Sequence, residues 1–199
     1  MPCNNCLADH GLSFDRAYEP HQAIEGHRNA RILVIGLNPK QIDGREDGRE
    51  IEDLVRYFDN QAEVHSYFKN FNIVSEILYN SFGQPYGAAH MDLVKCSSPN
   101  WKNNKNIISH CAVHLQRQLT DEVSPEIIIC NGSAVCSAIK IIYPPPQGTS
   151  NQATKYIHKI GTRRIHIVLS GFIGRIDNYS KKRLGVEIEE VIATLPDPE

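Results

Sequence analysis

The sequence predicts an α/β protein: a three-layer α/β/α sandwich around a central, mainly parallel four-stranded sheet, in a single domain over residues 1–199. Three observations carry this expectation. Residues 31–36 and 126–130 are continuous apolar runs suited to strands buried on both faces. Helical periodicities stand between the predicted strands, the alternation that right-handed crossovers in a parallel sheet require. A chain of 199 residues without internal repeats suits one domain with a good-sized core.

The first strand, Arg31-Ile32-Leu33-Val34-Ile35-Gly36, ends in the tight loop Gly36-Leu37-Asn38-Pro39. Helical patterns follow at about 50–58 and 66–80, and a second strand at 91–95 leads into Cys96. Ser109 reads as the N-cap of a helix carrying Cys111, Leu115 and Leu119 on one face. The third strand, 126–130, turns through Asn131-Gly132-Ser133 into a helix ending near residue 142. A Pro-rich, polar loop runs to Thr154, a fourth strand spans 164–169, a loop spans 170–174, and the last helix lies within 180–195. Ligands in such sheets bind outside the carboxyl ends of the strands. The loops at Asn38, 96–99, 131–133 and 170–174 all fall on that edge, which predicts one site there.

Composition narrows the partners. A net charge of −2 gives no global attraction to nucleic acid, so a DNA contact needs a local basic face. The opening Met-Pro-Cys-Asn-Asn-Cys has no apolar signal-type run, and no apolar stretch approaches the roughly 20 residues of a membrane span. The expectation is a cytoplasmic monomer with no membrane partner. Six cysteines in that setting favour metal ligation over disulfides. Cys3 and Cys6 form a Cys-x-x-Cys, while Cys96 ends the second strand and Cys111 opens the next helix. Four thiolates brought from separated segments hold an iron–sulfur cluster or a structural zinc. Cys130 and Cys136 read as small core hydrophobes.

Two segments carry a resemblance. Val34-Ile35-Gly36-Leu37-Asn38-Pro39 resembles the first motif of the uracil-DNA glycosylase superfamily. Asp92-Leu93-Val94-Lys95-Cys96, with Cys111, Leu115 and Leu119 beyond it, resembles the iron–sulfur (family 4-like) branch. Pro125 to Ala134 resembles the family's proline, apolar strand and Gly-x-x-Ala segment, so the likeness runs from Cys3 to about Ala138. It implies a four-iron–four-sulfur (4Fe-4S) cluster on Cys3, Cys6, Cys96 and Cys111, with zinc as the alternative. It also implies a monofunctional DNA glycosylase that removes a deaminated base such as uracil from damaged DNA. The alternative is an iron–sulfur DNA-binding protein of the same fold with little or no catalysis.

The resemblance implies that Asn38 holds the attacking water; the plainer reading is that it satisfies turn backbone. Asp92 stands where the family has a base-reading Asn. An ionised carboxylate only accepts hydrogen bonds and would repel uracil O4, whereas a protonated one could read uracil. Alternatively Asp92 caps a helix or pairs with Lys95 or Arg31. The family's last-loop His is missing from Leu169-Ser170-Gly171, and His166 reads as a half-buried strand residue. Ser170 and Gly171 would then meet the base through backbone N–H groups. Ser97, Ser98 and Trp101, with Lys102 and Lys105, suit a DNA-facing loop, as do Arg175, Asn178, Ser180, Lys181 and Lys182, or else a solvated helix start. Tyr57, Phe58 and Tyr86 are candidates to stack on a flipped base, with Tyr86 preferred. Asp43, Glu46 and Asp47 are second acids near Asn38 or a solvated turn.

Overall fold

A computed structural model of the chain describes residues 24–38, 58, 64, 66–95 and 105–196. Strands β1 (Ile24–Glu25) and β2 (Ile32–Gly36) come first, then helices α1 (Ser66–Val74) and α2 (Glu76–Ser81) and strand β3 (Ala88–Asp92). Helix α3 (Lys105–Arg117) continues into a π-helical turn (Gln118–Glu122). Strand β4 (Ile127–Asn131), helix α4 (Ser133–Ile142), the hairpin β5 (Lys155–Ile160) and β6 (Arg163–Ser170), and helix α5 (Asn178–Ile192) complete the order.

The sheet runs β1-β3-β2-β4-β6-β5. Its four central strands are mutually parallel, as expected, and β1 and β5 add antiparallel edges, making six strands rather than four. Both additions escape sequence patterning for a reason. The two residues of β1 are too few to show alternation, and β5 carries the charges typical of an edge strand. Its turn is short: Ile160 pairs with Arg163 around Gly161, whose φ of 59° is the backbone that a two-residue hairpin turn demands.

Successive strand residues face opposite layers. Leu33, Ile35, Met91 and Ile128 pack under α3, its π-helical turn and α4 through Leu115, Leu119, Val135 and Ile139. Ile32, Val34, Ile127 and Ile129 pack under α1, α2 and α5 through Phe68, Phe71, Leu78, Leu184 and Ile188. Each such side chain contributes about 1.5–3 kcal/mol when fully buried. The result is the three-layer arrangement.

Three boundaries differ from the sequence reading. The second strand lies at Ala88–Asp92 rather than 91–95, because small alanines and polar His90 and Asp92 interrupt its apolar signal. Leu93 and Val94 still donate to the Gly36 and Leu37 carbonyls, at 2.9 and 2.8 Å, as the chain bends away. The helix expected over 66–80 breaks at Ser75, whose Oγ accepts from the Leu78 N–H at 3.2 Å and caps α2. Ser109 is inside α3, donating to the Asn106 carbonyl at 2.9 Å, so it is not the N-cap and Cys111 lies in the second turn. Among the described residues no helix is long and apolar enough to cross a membrane.

Candidate active site

The carboxyl ends of β2, β3, β4 and β6 place Gly36, Asp92, Asn131 and Ser170 along one edge. Gly36 is the register partner of Asp92, and Asn131 of Ser170. Strand alternation turns His90, Asp92 and Asn131 toward α1, where Tyr67 meets them. His90 Nδ1 lies 2.8 Å from Glu25 Oε2, and its Nε2 lies 3.3 Å from Tyr67 Oη and 3.9 Å from Asp92 Oδ1. Asn131 Oδ1 accepts from the Ile173 backbone N–H at 2.7 Å, which leaves its Nδ2 to donate to Tyr67 Oη at 2.6 Å. A continuous polar chain therefore runs from Glu25 through His90, Tyr67 and Asn131 to the loop after β6.

Gly36 makes room for this chain. A Cβ there would overlap Asp92 Oδ1 and stand 2.8 Å from His90 Nε2. The absent side chain lets two polar groups crowd against the β2 backbone, a use of glycine for close approach.

Burial sets the charges. Asp92 is only 8% exposed, and desolvation raises its carboxyl to about 6, held there against the opposing pull of His90. For His90, burial lowers the imidazole, but the Asp92 and Glu25 carboxylates outweigh it and the net shift is upward. Burial, then the Asp92 charge, pushes the Tyr67 phenol up, so it stays a neutral hydrogen-bonding group. Lys95, 1% exposed, is lowered to about 8 by burial, opposed by Asp92, Cys111 and Glu122. Its Nζ has no hydrogen-bond partner among the described residues.

The sequence-predicted residues separate into groups. Asn38 is half-buried two residues beyond Gly36, and Ser170 and Gly171 lie on the same edge, with the Gly132 N–H donating to the Ser170 carbonyl at 3.0 Å. Asp92 borders the polar chain, 3.9 Å from His90 Nε2, and Arg31 is engaged elsewhere, in a two-pronged pair with Glu126. Tyr86 stands at the amino end of β3, the opposite edge from Asp92, and is not brought to the group. Phe58 is core, edge-on to Phe68 at 5.1 Å and stacked on Phe82 at 5.0 Å. Lys181 is buried and donates to Asn70 Oδ1 at 2.9 Å, joining α5 to α1, whereas Arg175 is exposed. His166 is a half-buried residue of β6. Cys3, Cys6, Cys96, Ser97, Ser98, Trp101, Lys102, Asp43, Glu46, Asp47 and Tyr57 lie outside the described residues.

Cys111 is buried in α3 with Val94 and Ile107 in a small cluster of its own. Among the described residues no three His, Cys, Asp or Glu side chains are grouped to hold a metal. The surroundings of Cys111 nevertheless fit a thiolate ligand: the buried ammonium of Lys95, next in sequence to Cys96, lies close enough for the Cys111 charge to act on it.

Neither a known protein family nor a curated protein matches this chain.

The sequence reading missed His90, Tyr67 and Phe172. The signal for His90 was its spacing of two from Asp92, which puts both on one strand face. Tyr67 and Phe172 had no such signal, because only packing brings them together. Their rings stack at 6.3 Å with 15° between planes, Phe172 is 43% exposed, and the Arg175 guanidinium lies 5.9 Å from its centroid.

Proposed function

We propose that the protein is a monofunctional DNA glycosylase that hydrolyses the N-glycosidic bond of a deaminated base, uracil or a related one, in DNA repair in the cytoplasm. On this reading it acts as a monomer on damaged DNA and belongs with the iron–sulfur uracil-DNA glycosylases. One observation carries the reading: the buried Asp92 carboxyl sits beside Gly36, at the end of the strand whose following loop bears Asn38.

The chemistry follows from those positions. Breaking the bond leaves an oxocarbenium-like sugar and an anionic base, and the base must first leave the stack. The Asn38 side-chain carbonyl orients water toward C1′. Asp92, raised to about 6 by burial, carries a proton in part of the molecules near neutrality and can then donate to uracil O4. Ser170 and Gly171 offer backbone N–H groups to the leaving base, and the half-exposed Phe172 ring offers a stacking face in place of Tyr86. Arg175 beside it suits a phosphate. Cys3, Cys6, Cys96 and Cys111 would hold the cluster, which supplies a structural cross-link and no redox step.

A catalytically silent DNA-binding protein is the second reading, favoured by the absence of an imidazole from Leu169-Ser170-Gly171 and by the cover that Tyr67 places over His90. Oligonucleotides containing uracil, hypoxanthine or xanthine, single- and double-stranded, separate the two. The expected result is release of one base, reduced about 100-fold or more in Asn38→Ala. Tight binding with no release from any substrate selects the silent protein, and intact cleavage in Asn38→Ala removes the water-holding role. Equal iron and sulfide in anaerobically purified protein are expected, and one zinc without iron would replace the cluster.

A further inference from the structure

Cys130 and Cys136 are both free thiols, and the β4–α4 turn brings them together. Cys130 is the next-to-last residue of β4, fully buried on the face that packs under α4. Cys136 lies at the end of the first turn of α4 and is only half-buried. The two side chains are close enough for each thiol to act on the titration of the other. Cys136 Sγ also lies 3.5 Å from the Ser170 carbonyl oxygen and 4.0 Å from that of Cys130. Neither belongs to the small cluster that contains Cys111.

The environments are unequal. The Cys130 thiol, ahead of the opposing effect of burial, lowers Cys136 to about 7, with a Ser170 backbone hydrogen bond and the Lys140 charge adding to it. Burial holds Cys130 well above the usual thiol range. One sulfur is thus accessible and readily ionised, and the other is sheltered and adjacent. An attacking thiol with a pKa near ambient pH is the fastest in exchange with a disulfide.

We propose that Cys136 and Cys130 are a modification site at which Cys136 attacks a low-molecular-weight disulfide of the glutathione class and Cys130 converts the adduct into an internal disulfide. In the first step the Cys136 thiolate bonds to one sulfur of the small disulfide, whose S–S bond breaks and whose other half departs as a thiolate. That thiolate takes the Cys130 proton. The Cys130 thiolate then bonds to Cys136 Sγ, the mixed-disulfide S–S bond breaks, and the second half leaves as a thiolate that takes from solvent the proton Cys136 released on ionising. Two protein thiols are oxidised and one small disulfide is reduced to two thiols. Lys140, on the same helix, suits the net negative charge of such a peptide.

The consequence reaches the carboxyl edge. The oxidised pair has no S–H to offer the Ser170 carbonyl, which begins the loop to Ile173 that Asn131 clamps. The proposal is independent of the glycosylase reading.

The test exposes the anaerobic full-length protein to oxidised glutathione, alkylates it under denaturing conditions and maps its tryptic peptides. Residues 118–140 form one peptide holding both cysteines and no other. The expected product is that peptide lacking two hydrogens and any alkyl group, restored by dithiothreitol. Cys136→Ser should leave Cys130 fully alkylated, and Cys130→Ser should stop at a glutathione adduct on Cys136. A wild-type peptide that remains doubly alkylated, or that carries glutathione without closing the ring, overturns the proposal whether or not the variants fold.

Discussion

His90 and Glu25 face each other as register partners across the antiparallel β1–β3 ladder, with imidazole Nδ1 2.8 Å from the carboxylate. A two-residue edge strand thereby orients a buried imidazole that the long central strands could not have placed alone. Directly opposed polar pairs of this kind are the cross-strand equivalent of helical i,i+4 pairs. The other ring nitrogen is left to face Tyr67 and Asp92, so the charge state of the whole edge depends on β1.

Glu25→Gln removes a carboxylate that raises His90. Because the folded pKa of His90 lies above its usual 6.5, its stabilising effect is complete below pH 6.5 and fades as pH climbs through the folded value. The variant should titrate lower in NMR of the imidazole protons and lose about 1–3 kcal/mol below pH 6.5. An unchanged titration would show that the ladder pair does not govern the imidazole.

Asp92 works over a lower window. Its folded value of about 6 exceeds the usual 3.8, so the native state holds the proton more tightly. The contribution is full below about pH 4 and is lost as pH rises through 6, by about 3 kcal/mol. Asp92→Asn should flatten the denaturant-derived stability across that interval, and on the proposed function should raise uracil excision at pH 7.5. Equal slopes with pH in the two proteins would contradict the raised carboxyl.

Asn131→Ala leaves the Ile173 N–H and the Tyr67 hydroxyl without the partner they share. The expected cost is about 2–4 kcal/mol in urea unfolding, with faster hydrogen exchange at Ile173. Protection at Ile173 equal to the wild type would mean that the clamp is not what holds the loop.

Lys181 and Arg175 are chemically alike and differently employed. Lys181→Met should lower stability by about 1–2 kcal/mol, because it breaks the bond to Asn70 between α5 and α1, and on the proposed function should leave the salt dependence of DNA binding unchanged. Arg175→Ala should spare stability and, on the same proposed function, reduce the slope of log DNA affinity against log salt by about one. The reverse pattern would return Lys181 to the phosphate-facing surface.

Strands β2 and β4 were legible because burial on both faces writes itself as uninterrupted Ile, Val and Leu. The position of Asp92 at the sheet edge was not legible, because a strand read over 91–95 puts it near the start. The strand carrying it was misplaced by three residues, since Ala88, Ala89 and His90 give no apolar signal, although their neighbours bury them completely.

The sequence by itself determined the layered α/β architecture and the edge at which its polar loops gather, because solvent exclusion acts on patterns along the chain. Only the tertiary structure decided the partnerships: Glu25 with His90, Tyr67 with Asn131, Lys181 with Asn70, and the Cys136 thiol with the Cys130 carbonyl. Hydrogen bonds and charge shifts act over a few ångströms, and apart from the closely spaced cysteines those neighbours come from segments far apart in the chain.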